Sequence, residues 1–193
     1  MEKGFDQVVY LDPDIYVYRA MTEVERPLSM SAFMVLTPHL TGFLDDDMYP
    51  SEVNIMQSGS FNLGFIALVR HPNLIPFINW WKSKCEFDCV VDIPNGIFVD
   101  QKWIDLVPGI FNGVYVLRHE GYNVAYWNLK HRIIEYIGGK YFVNRQPLTF
   151  FHFSGLNPLL PEGLSKHQNR FQLKNLGVAI PIITSYCQFV IDN

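Results

Sequence analysis

The chain alternates between short apolar runs rich in β-branched and aromatic residues and longer segments with helical periodicity. The short runs predict strands within residues 7–18, 31–40 and 60–70, and the first is expected to be a buried strand that ends in a turn at Pro13. Between residues 71 and 91, apolar side chains recur at helical spacing and predict a helix. Strands that alternate with helical segments indicate an α/β fold.

The second half of the chain is predicted to contain a short helix and a hairpin. Residues 99–111 are expected to form a helix that stops before Pro108, because the residue before a proline disfavours helical backbone. Residues 140–155 are expected to form a hairpin that turns around residues 144–146.

The first residues predict that earlier structure is missing. The segment "EKGF" is typical of the last turn of a helix closed by a glycine, Gly4, and it leads directly into the first strand. An α/β sheet whose first strand already carries acids would normally be preceded by further strand–helix units. The sequence therefore predicts one domain over residues 1–193 that is the C-terminal portion of a larger domain.

Composition narrows the class of protein. The 193 residues are 49% hydrophobic, which is enough for one domain with a sizeable core. A formal net charge of -4 argues against a general nucleic-acid binder, which would carry a basic face. Three cysteines without a CxxC pair favour a reducing compartment. No apolar run approaches the length of a bilayer span, so the chain is expected to be cytoplasmic, with peripheral membrane association left open.

Two acids, Asp12 and Asp14, follow directly on the apolar residues of the first predicted strand. Because a charge inside an apolar core costs several kcal/mol unless it is paired, both should lie at the end of the strand. Ligands bind at the carboxyl ends of strands in α/β sheets, and carboxylate oxygens suit Mg²⁺ or Mn²⁺. The alternative is a simple turn in which Asp12 caps the loop and Asp14 faces water, and the two acids alone favour that turn.

Four short motifs occur in the order found in glycosyltransferases of the GT-A fold. "YLDPDIYV" resembles their D-x-D element, and "FNLGFIAL" at 61–68 resembles their F-N-x-G strand. "VDQKWIDLV" at 99–107 resembles their D-Q segment, and "FFHFSG" at 150–155 resembles their H-F-x-G element. Together they resemble enzymes of the glycogenin and galactosyltransferase type, and the blocks "YNVAYWNL" and "LSKHQNRF" resemble a bacterial subgroup associated with polysaccharide biosynthesis. The resemblance implies a GT-A-like mixed sheet flanked by helices.

The resemblance also implies a metal centre. Asp12 and Asp14 would bind a divalent cation, Mn²⁺ or Mg²⁺, and His152 would supply the third ligand. Two carboxylates and a neutral imidazole form a donor set that suits Mn²⁺ well. Taken alone, His152 would be better explained as a core histidine that bonds to backbone between two phenylalanines.

Further residues acquire roles only through the resemblance. Asn62 would lie beside the donor sugar or the acceptor, and Asp100 and Gln101 would contact donor hydroxyls near the reacting carbon. The alternative for Asn62 is an amide that hydrogen-bonds backbone at a strand bulge. The alternative for Asp100 is an acid in the first turn of a helix. Trp127 is expected to contact sugar, although tryptophans more often pack in a core.

The predicted phosphate site departs from the family pattern. Gly155 would let the backbone approach a phosphate, yet Pro158 stands where the related enzymes carry a lysine. Lys166 is the candidate replacement, with His167 and Arg170 as neighbours, and a solvated basic patch is the equally weighted alternative.

The predicted activity is transfer of a sugar from a nucleoside diphosphate to a hydroxyl of a saccharide or glycolipid acceptor. The motifs most resemble those of enzymes that retain the anomeric configuration. One alternative is an inactive or partner-dependent fragment, because the strands that hold the nucleotide in such folds come before the D-x-D element. A glycoside hydrolase is disfavoured, because its two acids must flank the scissile bond and Asp12 and Asp14 are one residue apart.

Overall fold

A computed structural model describes residues 4–193 of the chain. Gly4 has a φ of +84°, as a glycine that closes a helix would, but the helical turn predicted before it lies outside the described residues. Contacts between Cα atoms divide the chain into two compact units, and each is described by itself. The first comprises the residues up to Asp12, 21–39 and 55–118, and the second comprises 13–20, 40–54 and 119–193.

The first unit contains a four-stranded mixed sheet. Its strands are β1 (Gln7–Leu11), β3 (Met34–Pro38), β4 (Phe61–Val69) and β7 (Val114–Val116), and they lie in the order β1-β4-β3-β7. β4 is antiparallel to both β1 and β3, whereas β3 and β7 run parallel. This combination of a mixed sheet with helices confirms the predicted α/β class.

Helix α3 (Leu74–Asp88) confirms the helix predicted from apolar spacing and supplies much of the first core. Its fully buried Phe77 packs edge-on against Phe33 and stacks on Trp81 with ring centroids 5.5 Å apart. The unit also contains α1 (Glu25–Met30), α4 (Val107–Ile110), short strands β5 (Val91–Asp92) and β6 (Ile97–Phe98), and 3₁₀ turns at Thr22–Val24, Ile93–Asn95 and Lys102–Leu106. α2 (Glu52–Ser58) lies at the boundary between the two units in the sequence.

The second unit is built from two small sheets and a C-terminal helix. β2 (Ile15–Val17) pairs antiparallel with β11 (Phe150–His152). A three-stranded sheet consists of β8 (Ile134–Ile137), β9 (Lys140–Val143) and β10 (Gln146–Pro147), with β9 in the middle. The core of the unit includes Phe151, Phe153 and Ile183. The remaining elements are α5 (Ile180–Asp192) and 3₁₀ turns at Pro161–Gly163, Leu173–Asn175 and Gly177–Ala179.

Three structural expectations need correction. β1 is not buried: Val8 and Tyr10 are 40% and 51% exposed, because the strand lies at the edge of its sheet. Pro108 does not stop a helix but lies in the first turn of α4, where its missing N–H has no helical partner to lose. The hairpin of β9 ends with β10, and the next strand, β11, leaves it to pair with β2.

No helix within residues 4–193 has both the length and the apolar character that crossing a membrane requires.

Backbone packing at Gly121 gives a test of the second unit. A Cβ added there would lie 2.0 Å from the carbonyl oxygen of Pro147, and the carbonyl of Gly121 itself accepts the N–H groups of Thr149 and Phe150. We expect Gly121→Ala to lower the free energy of unfolding by about 1–3 kcal/mol, because backbone must move to accept the methyl group. Urea unfolding measures the loss. Gly163→Ala, where the new methyl group meets open space, is the matched control, and equal stability of the two variants would contradict the packing described.

Candidate metal centre

The turn between β1 and β2 positions the two predicted acidic ligands. At the end of β1, the backbone N–H of Asp12 donates to the carbonyl of Gly64 at 2.9 Å, and the Tyr10 hydroxyl donates to Asp12 Oδ1 at 2.8 Å. At the start of β2, the carbonyl of Asp14 accepts the N–H of Phe153 at 2.8 Å. Each acid is therefore held through its own backbone at a strand end, as the burial argument requires.

The pairing of β2 with β11 places His152 beside Asp14. His152 lies opposite Ile15 in the register, and its Nε2 is 3.0 Å from Asp14 Oδ1. The imidazole is 3% exposed and packs edge-on against Trp127, with ring centroids 5.2 Å apart. A buried and packed ring has little freedom to turn away from the carboxylate.

Asn123 holds the other side of the same imidazole. Its side-chain Oδ1 lies 3.2 Å from His152 Nδ1, and both residues are buried. The backbone N–H of His152 also donates to the carbonyl of Val124 at 2.8 Å. Because an amide oxygen only accepts hydrogen bonds, this contact favours a proton on Nδ1. Nε2 points at Asp14, where it can donate a hydrogen bond when it carries a proton and would offer its lone pair to a bound cation when it does not. Metal-binding histidines are commonly oriented in this way by a partner on the second nitrogen.

One ligand atom from each of Asp12, Asp14 and His152 lies within 4.8 Å of the other two. A single residue separates the two acids, so their proximity is a local property of the turn at Pro13. The donors fit a divalent cation in chemistry, since carboxylate oxygens and an imidazole nitrogen suit Mn²⁺. The structure thus brings together the three predicted ligands, and the presence of a metal stays a prediction.

The pKa of Asp14 reflects this neighbourhood. Burial raises the pKa of a carboxylic acid, but the hydrogen bond and the charge interaction with His152 outweigh that effect and lower the pKa of Asp14 below its ordinary value. Asp14 is therefore ionised at neutral pH and available as an anionic ligand.

Asp100 belongs to the first unit, as does Asp12. Burial raises the pKa of the Asp100 carboxyl, and the nearby negative charge of Asp12 raises it further. The carbonyl of Asp100 accepts the indole N–H of Trp81 at 3.0 Å, and the preceding Val99 has a φ of +42°. A β-branched residue in the left-handed region is strained, and such strain is found disproportionately at functional sites.

Asn62 and Gln101 lie together in a buried hydrogen-bond network. Gln101 Oε1 accepts the backbone N–H of Leu63 at 3.0 Å and faces Asn62 Nδ2 at 3.3 Å, while Gln101 Nε2 donates to the carbonyl of Ser58. Asn62 Oδ1 accepts the N–H of Gly64, and His39 Nε2 lies 3.2 Å from Asn62 Nδ2. In this network the amides of Asn62 and Gln101 accept hydrogen bonds from backbone N–H groups of β4. Their contact with a donor sugar stays a prediction.

The region predicted to bind phosphate lies on a loop around Gly155. Lys166 is exposed, and its backbone N–H donates to the carbonyl of Gly155 at 3.0 Å. The space above the Cα of Gly155 is occupied by the ring of His167, because a Cβ there would lie 2.5 Å from His167 Cδ2. The structure therefore brings Lys166 close to Gly155, while the predicted phosphate contact of both residues stays untested.

Trp127 and Arg170 are both held by contacts within the second unit. Trp127 is 3% exposed and contacts His152 and Tyr126, so it packs beside the candidate metal centre. Arg170, a predicted neighbour of Lys166, donates to both oxygens of Asp46 and to the carbonyl of Pro50. Its guanidinium anchors the loop around residues 46–50.

Two residues of these networks were not singled out from the sequence as functional. Asn123 is the polar residue in the apolar segment "YNVAYW", and that interruption was the signal that could have found it. His39 follows Pro38 at the end of a strand, where nothing in the local pattern indicates a contact with Asn62, 23 residues away.

The chain is similar to two proteins of Bacillus subtilis strain 168, each described as uncharacterized. It is 30% identical to YfnD over 101 residues, which are 51% of this chain and 32% of YfnD. It is 26% identical to YfnF over 159 residues, which are 78% of this chain and 50% of YfnF. The matched part thus spans between a third and a half of the length of these relatives. No family model matches the chain, and no solved structure matches it.

The Arg170–Asp46 pair generates a pH prediction. Hydrogen bonds from Arg170 hold the pKa of Asp46 well below its ordinary value. A carboxyl whose folded pKa is lowered stabilises the fold fully above its unfolded pKa, and this stabilisation is lost as the pH falls through the folded pKa. We expect Asp46→Asn to melt at a lower temperature at pH 7 and to lose less stability on acidification than the wild type.

Thermal unfolding measured from pH 7 down to pH 2 tests this expectation. Asp47→Asn changes an exposed acid in the same loop and is the control for the loss of one negative charge. Identical pH dependence of wild type and Asp46→Asn would contradict the assignment.

Proposed function

We propose that this chain is the catalytic part of a metal-dependent glycosyltransferase with a GT-A-like fold. It would transfer a sugar from a nucleoside diphosphate to a hydroxyl of a saccharide or glycolipid acceptor. The observation that carries the proposal is the grouping of Asp12, Asp14 and His152, with one ligand atom from each within 4.8 Å of the others. Two motifs that are distant in sequence supply these residues, and both were identified by their resemblance to such enzymes.

The position of the acids in the fold supports the same activity. Asp12 follows β1 directly, at the carboxyl end of a strand, where ligands of α/β proteins bind. Asp12 and Asp14 are both half-buried, so their oxygens remain reachable. A hydrolase would require two acids on opposite sides of a scissile bond, and two acids in one turn do not suit that geometry.

The proposed chemistry depends on positioning and on electrostatics. A divalent cation at this centre would neutralise negative charge that develops on the departing diphosphate. Asn123 and Trp127 hold the imidazole of His152, so that Nε2 is already oriented before any ligand arrives. Such preorganisation avoids rearrangement during the reaction.

Roles for the remaining residues follow from their surroundings. Asp100, whose pKa is raised by burial and by the charge of Asp12, would accept hydrogen bonds from sugar hydroxyls. Asn62 and Gln101 would support β4 and the segment that carries Asp100. The exposed ammonium of Lys166 would supply positive charge to the diphosphate. The proposal includes retention of anomeric configuration, because the motifs most resemble those of retaining enzymes.

A second candidate is a chain that requires a partner polypeptide before it binds substrate. The exposure of β1 favours it: Val8, Val9 and Tyr10 are 40%, 37% and 51% exposed, and within residues 4–193 the strand is hydrogen-bonded on one edge to β4. A strand that is apolar on both faces is typical of the interior of a sheet. The greater length of YfnD and YfnF is consistent with additional structure in the relatives.

Metal binding is the direct test of the proposed centre. We expect Asp14→Ala and His152→Ala to lose measurable Mn²⁺ binding, and Asn123→Ala, which frees the imidazole, to weaken binding by about 10–100-fold. Isothermal titration of the purified chain with Mn²⁺ gives the affinities, and circular dichroism checks that each variant is folded. Asp47→Asn is the control for general loss of negative charge. An unchanged Mn²⁺ affinity in Asp14→Ala would contradict the assignment of Asp14 as a metal ligand.

Nucleotide binding separates the enzyme from the partner-dependent chain. With Mn²⁺ present, we expect the isolated chain to bind at least one member of a panel of nucleoside diphosphates, and we expect binding to disappear with a chelator. Failure to bind any of them, with Mn²⁺ binding intact, would favour the second candidate. Release of free sugar from an oligosaccharide without a nucleotide would instead favour a hydrolase.

The configuration of the product tests the proposed stereochemistry. Once a donor and an acceptor are identified, we expect NMR of the product to show the same anomeric configuration as the donor. Formation of the opposite anomer would show that retention is wrong and would leave the transferase assignment in place.

A further inference from the structure

The ring of His167 is placed by a glycine. A Cβ at Gly155 would lie 2.5 Å from His167 Cδ2 and 2.8 Å from Ser165 Oγ, so a side chain at this position would displace the imidazole. Gly155 also has a φ of +69°, a conformation that favours glycine. The backbone N–H of Lys166 donates to the carbonyl of Gly155 and fixes the distance between the two segments. The glycine therefore provides the surface against which His167 lies.

A row of aromatic rings connects His167 to the candidate metal centre. The ring of His167 lies 6.5 Å from that of Tyr126, the ring of Tyr126 lies 5.0 Å from that of Trp127, and the ring of Trp127 lies 5.2 Å from that of His152. The main chain provides a second connection, because Gly155 follows His152 by three residues, which span at most about 11 Å. His167 is thus linked to the segment that carries His152 by two independent routes.

The edge of the His167 ring that carries Cδ2 and Nε2 lies against Gly155, and Nδ1 lies on the other edge of the ring. The residue is exposed, and the hydrogen bond found for it in residues 4–193 is made by its backbone N–H, which donates to Ser165 Oγ at 3.1 Å. Burial of one side of the ring and the adjacent charge of Lys166 lower the pKa of His167, so the ring is neutral at neutral pH and carries one N–H donor. The ring lies against Gly155 on one side, and its centroid is 6.5 Å from that of Tyr126.

We propose that His167 is a binding residue for the diphosphate of the donor, to which its ring N–H donates a hydrogen bond. This inference rests on the proposed function and adds a residue to it. Lys166, next in sequence, supplies the positive charge. Arg170 does not take part, because its Nε and Nη2 donate to Asp46 and Pro50 and its Nη1 is buried. The pair of Lys166 and His167 thereby takes the place of the lysine that the family carries where this chain has Pro158.

Inorganic pyrophosphate is a suitable probe, because it presents a diphosphate without requiring knowledge of the base or the sugar. The purified chain, saturated with Mg²⁺, is titrated with pyrophosphate by calorimetry. We expect His167→Phe, which keeps a ring over Gly155 but has no N–H, to weaken pyrophosphate binding roughly ten-fold, the loss typical of a hydrogen bond to a charged group. His167→Gln offers an N–H from its amide and should restore part of the affinity.

Controls separate this inference from the proposed function. Gln172→Ala, an exposed neighbour, should bind pyrophosphate as the wild type does, and Mg²⁺ affinity should be the same in all these variants. Wild-type pyrophosphate affinity in His167→Phe would overturn the role of His167 while the metal-dependent transferase stands. Absence of Mg²⁺-dependent pyrophosphate binding in the wild type would overturn both. Inorganic phosphate, titrated in parallel, should bind more weakly, and equal affinity would overturn the assignment to a diphosphate.

A measurement on the wild-type chain tests the proposal without relying on the fold of a variant. The chain has six histidines, and the ring signal of His167 in a proton–carbon correlation spectrum is the one missing from His167→Phe. We expect this signal to shift when pyrophosphate is added to the Mg²⁺-saturated wild type. An unchanged signal at saturating pyrophosphate would overturn the proposal.

Discussion

The antiparallel pairing of β2 with β11 is the contact on which the candidate metal centre depends. It sets His152 opposite Ile15, and the hydrogen bond from the N–H of Phe153 to the carbonyl of Asp14 extends the ladder by one step. A shift of one residue would turn His152 to the other face of the strand, because side chains alternate along a strand. The register of a three-residue strand thus decides whether the imidazole meets the carboxylate at 3.0 Å.

That register is stabilised by packing and by a second set of backbone contacts. Phe151, the central residue of β11, is buried in the core of the second unit, which fixes the face that each neighbour presents. On the other side of β11, Val124 accepts the N–H of His152 and brings Asn123 to the imidazole. The short strand β11 therefore positions both His152 and Asn123, the residue that orients its imidazole. The loop that follows β11 continues to Gly155, against which the ring of His167 lies.

The first unit shows how tertiary contacts change the meaning of a motif. The motifs that contain Gln101 and Asn62 resemble those of sugar-transferring enzymes, yet the two amides contact each other and the backbone of β4. Asp100, next to Gln101, is the member of the segment whose carboxyl is influenced by Asp12. Two adjacent residues can thus have different roles. The side chain of Gln101 supports β4, whereas the carboxyl of Asp100 is influenced by the charge of Asp12.

The sequence by itself determined several of the elements and the types of chemistry available. Apolar spacing predicted helix α3, and the apolar runs predicted the strands that became β3 and β4, since periodicity is a local property. The same information placed acids at the end of β1. It did not reveal that β1 is an edge strand or that β11 pairs with β2. Those outcomes depend on pairing between segments far apart in the chain. The family resemblance grouped His152 with Asp12 and Asp14, whereas only the tertiary structure decided which amide and which ring contact the imidazole of His152.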